Sequence, residues 1–200
     1  MHFDLPYIIQ TVGVLGLFFI IFAESGLFFG FFLPGDSLLV TAGLLASQGY
    51  FQILVLGFLL MFAAILGDSV GYWFGKKVGP SIFKREDSLL FKKSHLTKAH
   101  KFYENHGGKT IILARFIPIV RTFAPIVAGA AGMDYKNFIS FNIIGGIGWV
   151  WGMLLLGYFL GSAIPNVDTY LFPIIFLIVL LSILPGIIEV IKSRKGGKKI

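Results

Sequence analysis

The chain has 200 residues, of which 56% are apolar and 14% charged, and its mean hydropathy is +0.84. Globular domains are about half apolar and about a quarter charged. This composition, with 22 Phe and 25 Gly, excludes a soluble enzyme domain, a disordered tail and a nucleic-acid-binding module, and it suits close-packed membrane helices. The absence of cysteine excludes disulfides, thiolate metal sites and cysteine nucleophiles.

The basic residues are concentrated in two blocks. Residues 76–109 carry a net charge of +6 and residues 189–200 a net charge of +4, within +7 for the whole chain. Both blocks flank apolar segments, as cytoplasmic segments do under the positive-inside rule. We therefore expect both blocks, and the C-terminus, to face anionic lipid in the cytoplasm. The first residues lack the basic start of a signal peptide, so the first apolar segment should remain in the protein.

The first apolar run contains two acids and one strong break. Residues 5–67 are apolar apart from Glu24 and Asp36, and Pro34-Gly35 interrupts the run because proline removes a helix donor and glycine loosens the turn. Spanning a membrane takes about 20 apolar residues in one helix. We expect residues 14–46 to form a re-entrant hairpin with its tip at this break.

Three later segments are long and apolar enough to be full spans. They comprise residues 52–75, 138–161 and 170–191. Residues 80–108 are polar and basic with interspersed apolar side chains, which indicates an amphipathic helix on the cytoplasmic face.

A second hairpin is predicted at residues 110–132. This segment is apolar but contains Arg115, Pro118, Arg121 and Pro125. Two prolines seven residues apart are not expected in one smooth helix. The resulting irregular backbone should expose amide groups near both arginines.

An internal repeat relates the two halves. Residues 41–43 match 127–129 at an offset of 86, and the Gly-Tyr-x-x-Gly motif at 71–75 matches 157–161 at the same offset. The first motif leads into Lys76-Lys77 and the second into an uncharged segment, so the charge bias puts them on opposite sides of the membrane. The sequence thus predicts an all-α membrane protein with an inverted-topology repeat, as in secondary transporters.

The chain reads as a single membrane domain with four parts. The first repeat covers about residues 10–79 and the amphipathic linker about 80–108. The second repeat covers about 109–165, and the final transmembrane helix with its basic tail covers 166–200.

Five ionisable residues lie in apolar surroundings: Glu24, Asp36, Asp68, Arg115 and Arg121. Each charge costs about 2.5–3.5 kcal/mol at a helix centre, so the five must be paired, neutral or hydrated. One interpretation is that acids and arginines pair and hold the hairpins together. The other is that the arginines bind a phosphate through their planar forks, with Glu24, Asp36 and Asp68 as proton-coupling acids. The two interpretations are compatible, because a pair that protons or substrate can break is a gate.

Several other residues have packing roles in this interpretation. Gly71 and Gly75 form a helix-packing pair, and Asn142 is expected to make a helix–helix hydrogen bond. The three tryptophans, Trp73, Trp149 and Trp151, are expected to anchor span ends at the membrane interface. The histidines are not spaced for metal ligation, so no metal or cofactor is predicted.

Together these motifs resemble one family. They are Glu24-x₁₁-Asp36, Phe32-Leu33-Pro34-Gly35-Asp36, Gly67-Asp68-x-x-Gly71-Tyr72-x-x-Gly75, Arg115-Phe116-x-Pro118-x-x-Arg121, and Asn142-x-x-Gly145 with Trp149. In this order and spacing the chain is similar to the DedA family of bacterial inner-membrane proteins, also called the SNARE-associated or VTT domain family. The resemblance covers about residues 10–190.

The resemblance implies two opposed re-entrant hairpins and essential residues at Glu24, Asp36, Arg115 and Arg121. Studied members of the family are linked to flipping or scrambling phospholipids, including undecaprenyl phosphate recycling and phosphatidylethanolamine transport, often dependent on proton-motive force.

Three classes of function remain to be compared. A transporter of anionic phospholipid or polyprenyl phosphate, with protons as coupling ions, fits the paired arginines best. A proton-coupled ion or small-solute antiporter using the same acids is the alternative. A membrane-embedded enzyme lacks support because every histidine lies at position 2 or in the basic segment. A homo-oligomer is compatible with the sequence.

Overall fold

A computed structural model describes residues 5–27, 33, 35–82 and 108–163. The regular structure of these residues is helical. The six helices are α1 (Leu5–Gly26), α2 (Gly35–Ser47), α3 (Ile53–Ile82), α4 (Lys109–Ala114), α5 (Pro118–Ala130) and α6 (Tyr135–Ala163).

Two of the described helices are long and apolar enough to cross a membrane. They are α3, over Ile53–Gly79, and α6, over Tyr135–Ala163, and they overlap the predicted spans at 52–75 and 138–161. The third predicted span, and nearly all of the predicted amphipathic linker, lie outside the described residues. The predicted all-helical structure is therefore confirmed for the described ranges, and the two long helices are consistent with a membrane protein.

The first predicted hairpin corresponds to α1 and α2. Helix α1 begins at Leu5, earlier than the predicted start, and ends at Gly26, while α2 begins at Gly35. Pro34 lies outside the described residues. After α2 the chain turns at Gly49, whose φ of +83° is favourable only for a residue without a Cβ.

The second predicted hairpin corresponds to α4 and α5, and here one expectation is wrong. The chain breaks between the two helices, and Ile117 is extended (φ −114°, ψ 108°), as the residue before a proline prefers. Pro118 then begins α5 at a position whose N–H would have no partner in the helix. Pro125, however, lies inside α5. One helix therefore contains both prolines. Pro118 is at its start, where a proline is tolerated, and Pro125 alone lies in its interior.

The short helix α2 packs closely against the long helix α6. Gly43 lies against the backbone of Leu154, and Gly157 lies against the backbone of Val40. A Cβ built on either glycine would overlap the facing main chain. The absent side chains thus allow the two backbones to approach each other, as small residues do in membrane helix pairs.

Helix α5 packs in the same way against α3. Gly129 lies against the backbone of Tyr72, and Gly75 lies against that of Ile126. A Cβ built on Gly71 would lie 3.6 Å from Pro125. The predicted packing role of Gly71 and Gly75 corresponds to this interface.

The main apolar core lies where α1, α2, α3 and α6 meet. Its buried members include Ile21, Leu39, Leu56, Leu60, Trp149 and Leu154. A smaller cluster of Tyr72, Ile111, Ala128 and Phe138 lies between α3, α4, α5 and α6. The outward faces of α3 and α6 expose large apolar side chains such as Phe58, Phe62, Ile144 and Phe159, which suits contact with lipid.

The expectation for Trp149 is wrong. This side chain is 2% exposed and lies in the main core, so it does not anchor α6 at an interface. Trp73, by contrast, is half exposed.

Candidate functional site

The first group of buried charges surrounds Arg121 on α5. Its Nη1 donates a hydrogen bond to Asp36 Oδ1 at 2.7 Å, and its Nη2 donates to Glu24 Oε1. The indole Nε1 of Trp149 also donates to Asp36 Oδ1, again at 2.7 Å. These four residues, here called the Arg121 cluster, come from four different helices.

The two acids of the Arg121 cluster occupy opposite ends of their helices. Asp36 lies in the first turn of α2, where the helix dipole favours a negative charge. Glu24 lies in the last turn of α1, where the dipole disfavours one. The Glu24 carboxylate also lies directly against Gly35, so that a Cβ there would overlap it. The glycine at position 35 is therefore needed to admit the Glu24 side chain.

The second group surrounds Arg115, immediately after α4. Its Nη2 donates hydrogen bonds to Asp68 Oδ2 on α3 and to Asn142 Oδ1 on α6. Asn142 Nδ2 in turn donates to the carbonyl oxygen of Ile65 at 3.1 Å. These three side chains, Arg115, Asp68 and Asn142, are here called the Arg115 cluster. The predicted helix–helix bond of Asn142 is present, and the residue holds the arginine as well.

A tryptophan connects the two clusters. The Cζ atom of Arg121 lies 4.9 Å from the centroid of the Trp149 ring, and that of Arg115 lies 6.0 Å from it. Both distances are within the range of a cation–π interaction. The two guanidinium groups thus border one aromatic ring in the interior of the protein.

The charges of the site do not balance. Three carboxyl groups face two guanidinium groups, so the five residues sum to −1 when all are ionised. The Glu24, Asp68 and Arg115 side chains are only 1%, 5% and 4% exposed, whereas Asp36 is 33% exposed. A buried carboxylate is expensive unless it is paired or binds a proton, so the excess negative charge is costly in this site.

The structure brings together all five ionisable residues singled out in the sequence and assigns their partners. Arg121 pairs with Glu24 and Asp36, and Arg115 pairs with Asp68. Pro118 begins the helix that carries Arg121. Among the described residues, no group of three or more histidines and acids is arranged to hold a metal ion.

Trp149 is the site residue whose role the sequence reasoning missed. One signal pointed to it: Trp149 follows Asn142 by seven residues, which is two helical turns. The two side chains therefore share one face of α6. That face also includes Gly145, where a built Cβ would lie 3.0 Å from the Arg115 side chain.

Comparison with known proteins identifies the family. The VTT domain family matches residues 33–159. The chain is 48% identical to Protein DedA of Escherichia coli over 92% of its own length and 84% of that protein. It is also 48% identical to an uncharacterized membrane protein of Mycobacterium leprae, over 84% of this chain and 75% of the relative.

The inner membrane protein YqjA of Escherichia coli is a more distant relative, at 37% identity over 73% of this chain and 66% of YqjA. No solved structure matches the chain. A family match over more than half of the chain, together with relatives that align along most of it, shows that the chain belongs to the DedA family of membrane proteins, which carry the VTT domain.

Proposed function

We propose that this protein is a flippase or scramblase that moves an anionic phospholipid or polyprenyl phosphate across the bacterial inner membrane, with protons as the coupling ions. The observation that carries the proposal is the meeting of two buried guanidinium groups with three carboxyl groups around Trp149. Charged groups inside a membrane protein are costly and mark substrate or proton pathways. No catalytic role is proposed for any of them.

The arginines suit a phosphate because a phosphate can replace a carboxylate at the same donors. Arg121 directs its two Nη groups at two carboxylates, and the same charged donors bind phosphate oxygens. Lipid phosphate and the acids therefore compete for Arg121. The lipid binds when a carboxylate gives up its hydrogen bond.

Protonation favours the lipid in this competition. One proton raises the charge of the five groups from −1 to zero, and a second raises it to +1. Arginine stays charged throughout, so each proton weakens an acid as a competitor and leaves the donor intact. One charge crossing a potential of 100 mV supplies about 2.3 kcal/mol, which is enough to bias this exchange.

The proposed architecture is an inverted repeat with two re-entrant hairpins that enter from opposite faces. Support comes from the helix contacts. Val40 faces Gly157. At the repeat offset of 86, Val40 corresponds to Ile126 and Gly157 corresponds to Gly71. Ile126 and Gly71 also face each other. The short helix of each repeat therefore packs on the long helix of the other, as expected of two repeats related by a pseudo-two-fold axis.

The proposed orientation has residues 76–109 and the C-terminus in the cytoplasm. It is supported by the charge of these segments. The inner membrane is supported by the printed name of the relative YqjA.

A proton-coupled antiporter of ions or small solutes is the second candidate. One observation favours it: with all five groups ionised, the site carries an excess negative charge, which a cation as well as a proton can balance. Both candidates use the same acids. They differ in the species that moves in response to the proton, which is a lipid in the first candidate and an ion or small solute in the second.

The test is lipid movement in liposomes that contain only this protein. Acyl-labelled phosphatidylglycerol is followed by quenching from outside, with and without an imposed pH gradient. The proposal expects protein-dependent movement that the gradient accelerates, and loss of that acceleration in Glu24→Gln/Asp36→Asn. Asp134→Asn is the matched control because Asp134 lies in the turn before α6, where it accepts a hydrogen bond from the Asn137 backbone.

Two outcomes would contradict the proposal. If the parent moves no lipid but exchanges protons for cations or solutes, the antiporter is correct. If the folded double variant responds to the gradient as the parent does, these two acids are not the coupling site.

A further inference from the structure

We infer that the two acids of the Arg121 cluster have different roles, and that Trp149 sets the difference. Glu24 is the carboxyl group that binds and releases the proton. Asp36 is the carboxylate that anchors Arg121, because Trp149 supplies it with a second hydrogen-bond donor. Trp149 is thus a positioning residue. The assignment of the proton site deepens the proposed function and rests on it.

Asp36 has three features that stabilise a carboxylate. Its Oδ1 accepts hydrogen bonds from two donors at 2.7 Å, Arg121 Nη1 and Trp149 Nε1. The residue lies in the first turn of α2, at the positive end of the helix dipole. Its side chain is also a third exposed, so it retains part of its hydration.

Glu24 differs from Asp36 in its side-chain donors and its burial. Among the described side chains it receives a hydrogen bond from Arg121 Nη2 alone, and the backbone N–H of Gly35 also faces its carboxylate. It lies in the last turn of α1, and its side chain is almost completely buried. A proton is therefore more easily accommodated on Glu24 than on Asp36. One proton also neutralises the excess negative charge of the five groups.

The charged groups around Glu24 support the same assignment. They come from three helices: Asp36 on α2, Asp68 on α3 and Arg121 on α5. Arg115 is already paired with Asp68. Arg121 is thus the one cation that Glu24 and Asp36 share within the described part of the chain, and it cannot fully neutralise both.

Trp149 makes Arg121 stay with Asp36 when it releases Glu24. An indole N–H is a donor only, so it stabilises Asp36 when the carboxylate is ionised. The ring face also supports the Arg121 guanidinium, whose Cζ lies 4.9 Å from the ring centroid. When Glu24 takes up a proton, Arg121 keeps Asp36 and the ring as partners and frees only Nη2. The freed group remains in place for a phosphate oxygen.

Infrared difference spectroscopy of the purified protein tests the assignment without any transport. Acid-minus-alkaline spectra report the carbonyl stretch of each carboxyl group that takes up a proton. We expect one band from a buried carboxyl group. Glu24→Gln should remove it, whereas Asp36→Asn and the control Asp134→Asn should leave a buried-carboxyl band.

A second measurement needs no substitution in the site. When the parent protein is prepared with carbon-13-labelled glutamate, the band should shift, because isotope in a glutamate carboxyl lowers its frequency. Labelled aspartate should leave the band unchanged. A band that follows aspartate, or the absence of any titrating buried carboxyl group, overturns the inference even if Glu24→Gln cannot be purified.

The role of Trp149 is tested by two variants and a matched control. Trp149→Phe keeps an aromatic face and loses the N–H donor, so an aspartate band should appear beside the glutamate band. Trp149→Leu loses the face as well and should also abolish lipid movement. Trp151→Phe, on the same helix but packed against Phe58 and Gly57, should match the parent in both assays.

The two levels of the proposal can fail separately. A glutamate band in a protein that moves no lipid refutes the proposed function and leaves the proton site in place. Lipid movement by a protein whose band follows aspartate refutes the proton site and leaves the proposed function in place. A Trp149→Phe spectrum identical to that of the parent refutes the role of the tryptophan.

Discussion

The ion pair between Arg115 and Asp68 provides a direct test of the buried site, because it can be broken from either side. Both side chains are at most 5% exposed. Arg115→Met leaves Asp68 as a buried, unpaired acid, and Asp68→Leu leaves the Arg115 guanidinium with Asn142 as its only hydrogen-bonded side chain among the described residues. Removing one member of a buried pair costs about 3–5 kcal/mol in known cases. A domain has a net stability of about 5–15 kcal/mol, so each single variant should lose a fifth or more of it.

The double variant Arg115→Met/Asp68→Leu should recover most of this loss. Replacing a buried ion pair by apolar side chains of similar size is often neutral or stabilising, and the surroundings here are apolar. Unfolding of the parent, both single variants and the double variant in detergent micelles gives the coupling free energy of the pair. A double variant that loses the sum of the two single losses would show that the residues do not interact, and would refute the reasoning.

Three further predictions concern chemistry, packing and topology. Arg121→Lys should lose lipid movement in liposomes, because an ammonium group cannot engage two acceptors in the fork geometry; full movement would show that charge alone suffices. Gly157→Ala should destabilise the protein by about 1–3 kcal/mol through overlap with the α2 backbone, whereas thermal unfolding of Gly152→Ala, where no atom lies within 4 Å, should show no loss. Single cysteines at positions 94 and 162 should react with membrane-impermeant reagents from the cytoplasm and from outside, respectively; the reverse pattern would contradict the proposed orientation.

The sequence by itself determined the class of the protein and which charged residues make up its site. The length and apolarity of α3 and α6 depend on local composition, so the two spans could be predicted within a few residues. The five intramembrane charges stand out against their apolar neighbours for the same reason. The pairs of glycines could be assigned to packing because their spacing matches the helical turn.

Only the tertiary structure decided the partners. Arg121 is 85 residues from Asp36 and 97 from Glu24, and Trp149 is 113 from Asp36. No local pattern encodes such pairs, because they depend on which helices pack together and at what height. The same limit explains why the position of Trp149 was predicted wrongly, since an aromatic side chain suits a membrane interface as well as a core. Its position became clear only when the α2–α6 contact brought it beside Asp36 and the fold of α5 brought Arg121 over its ring.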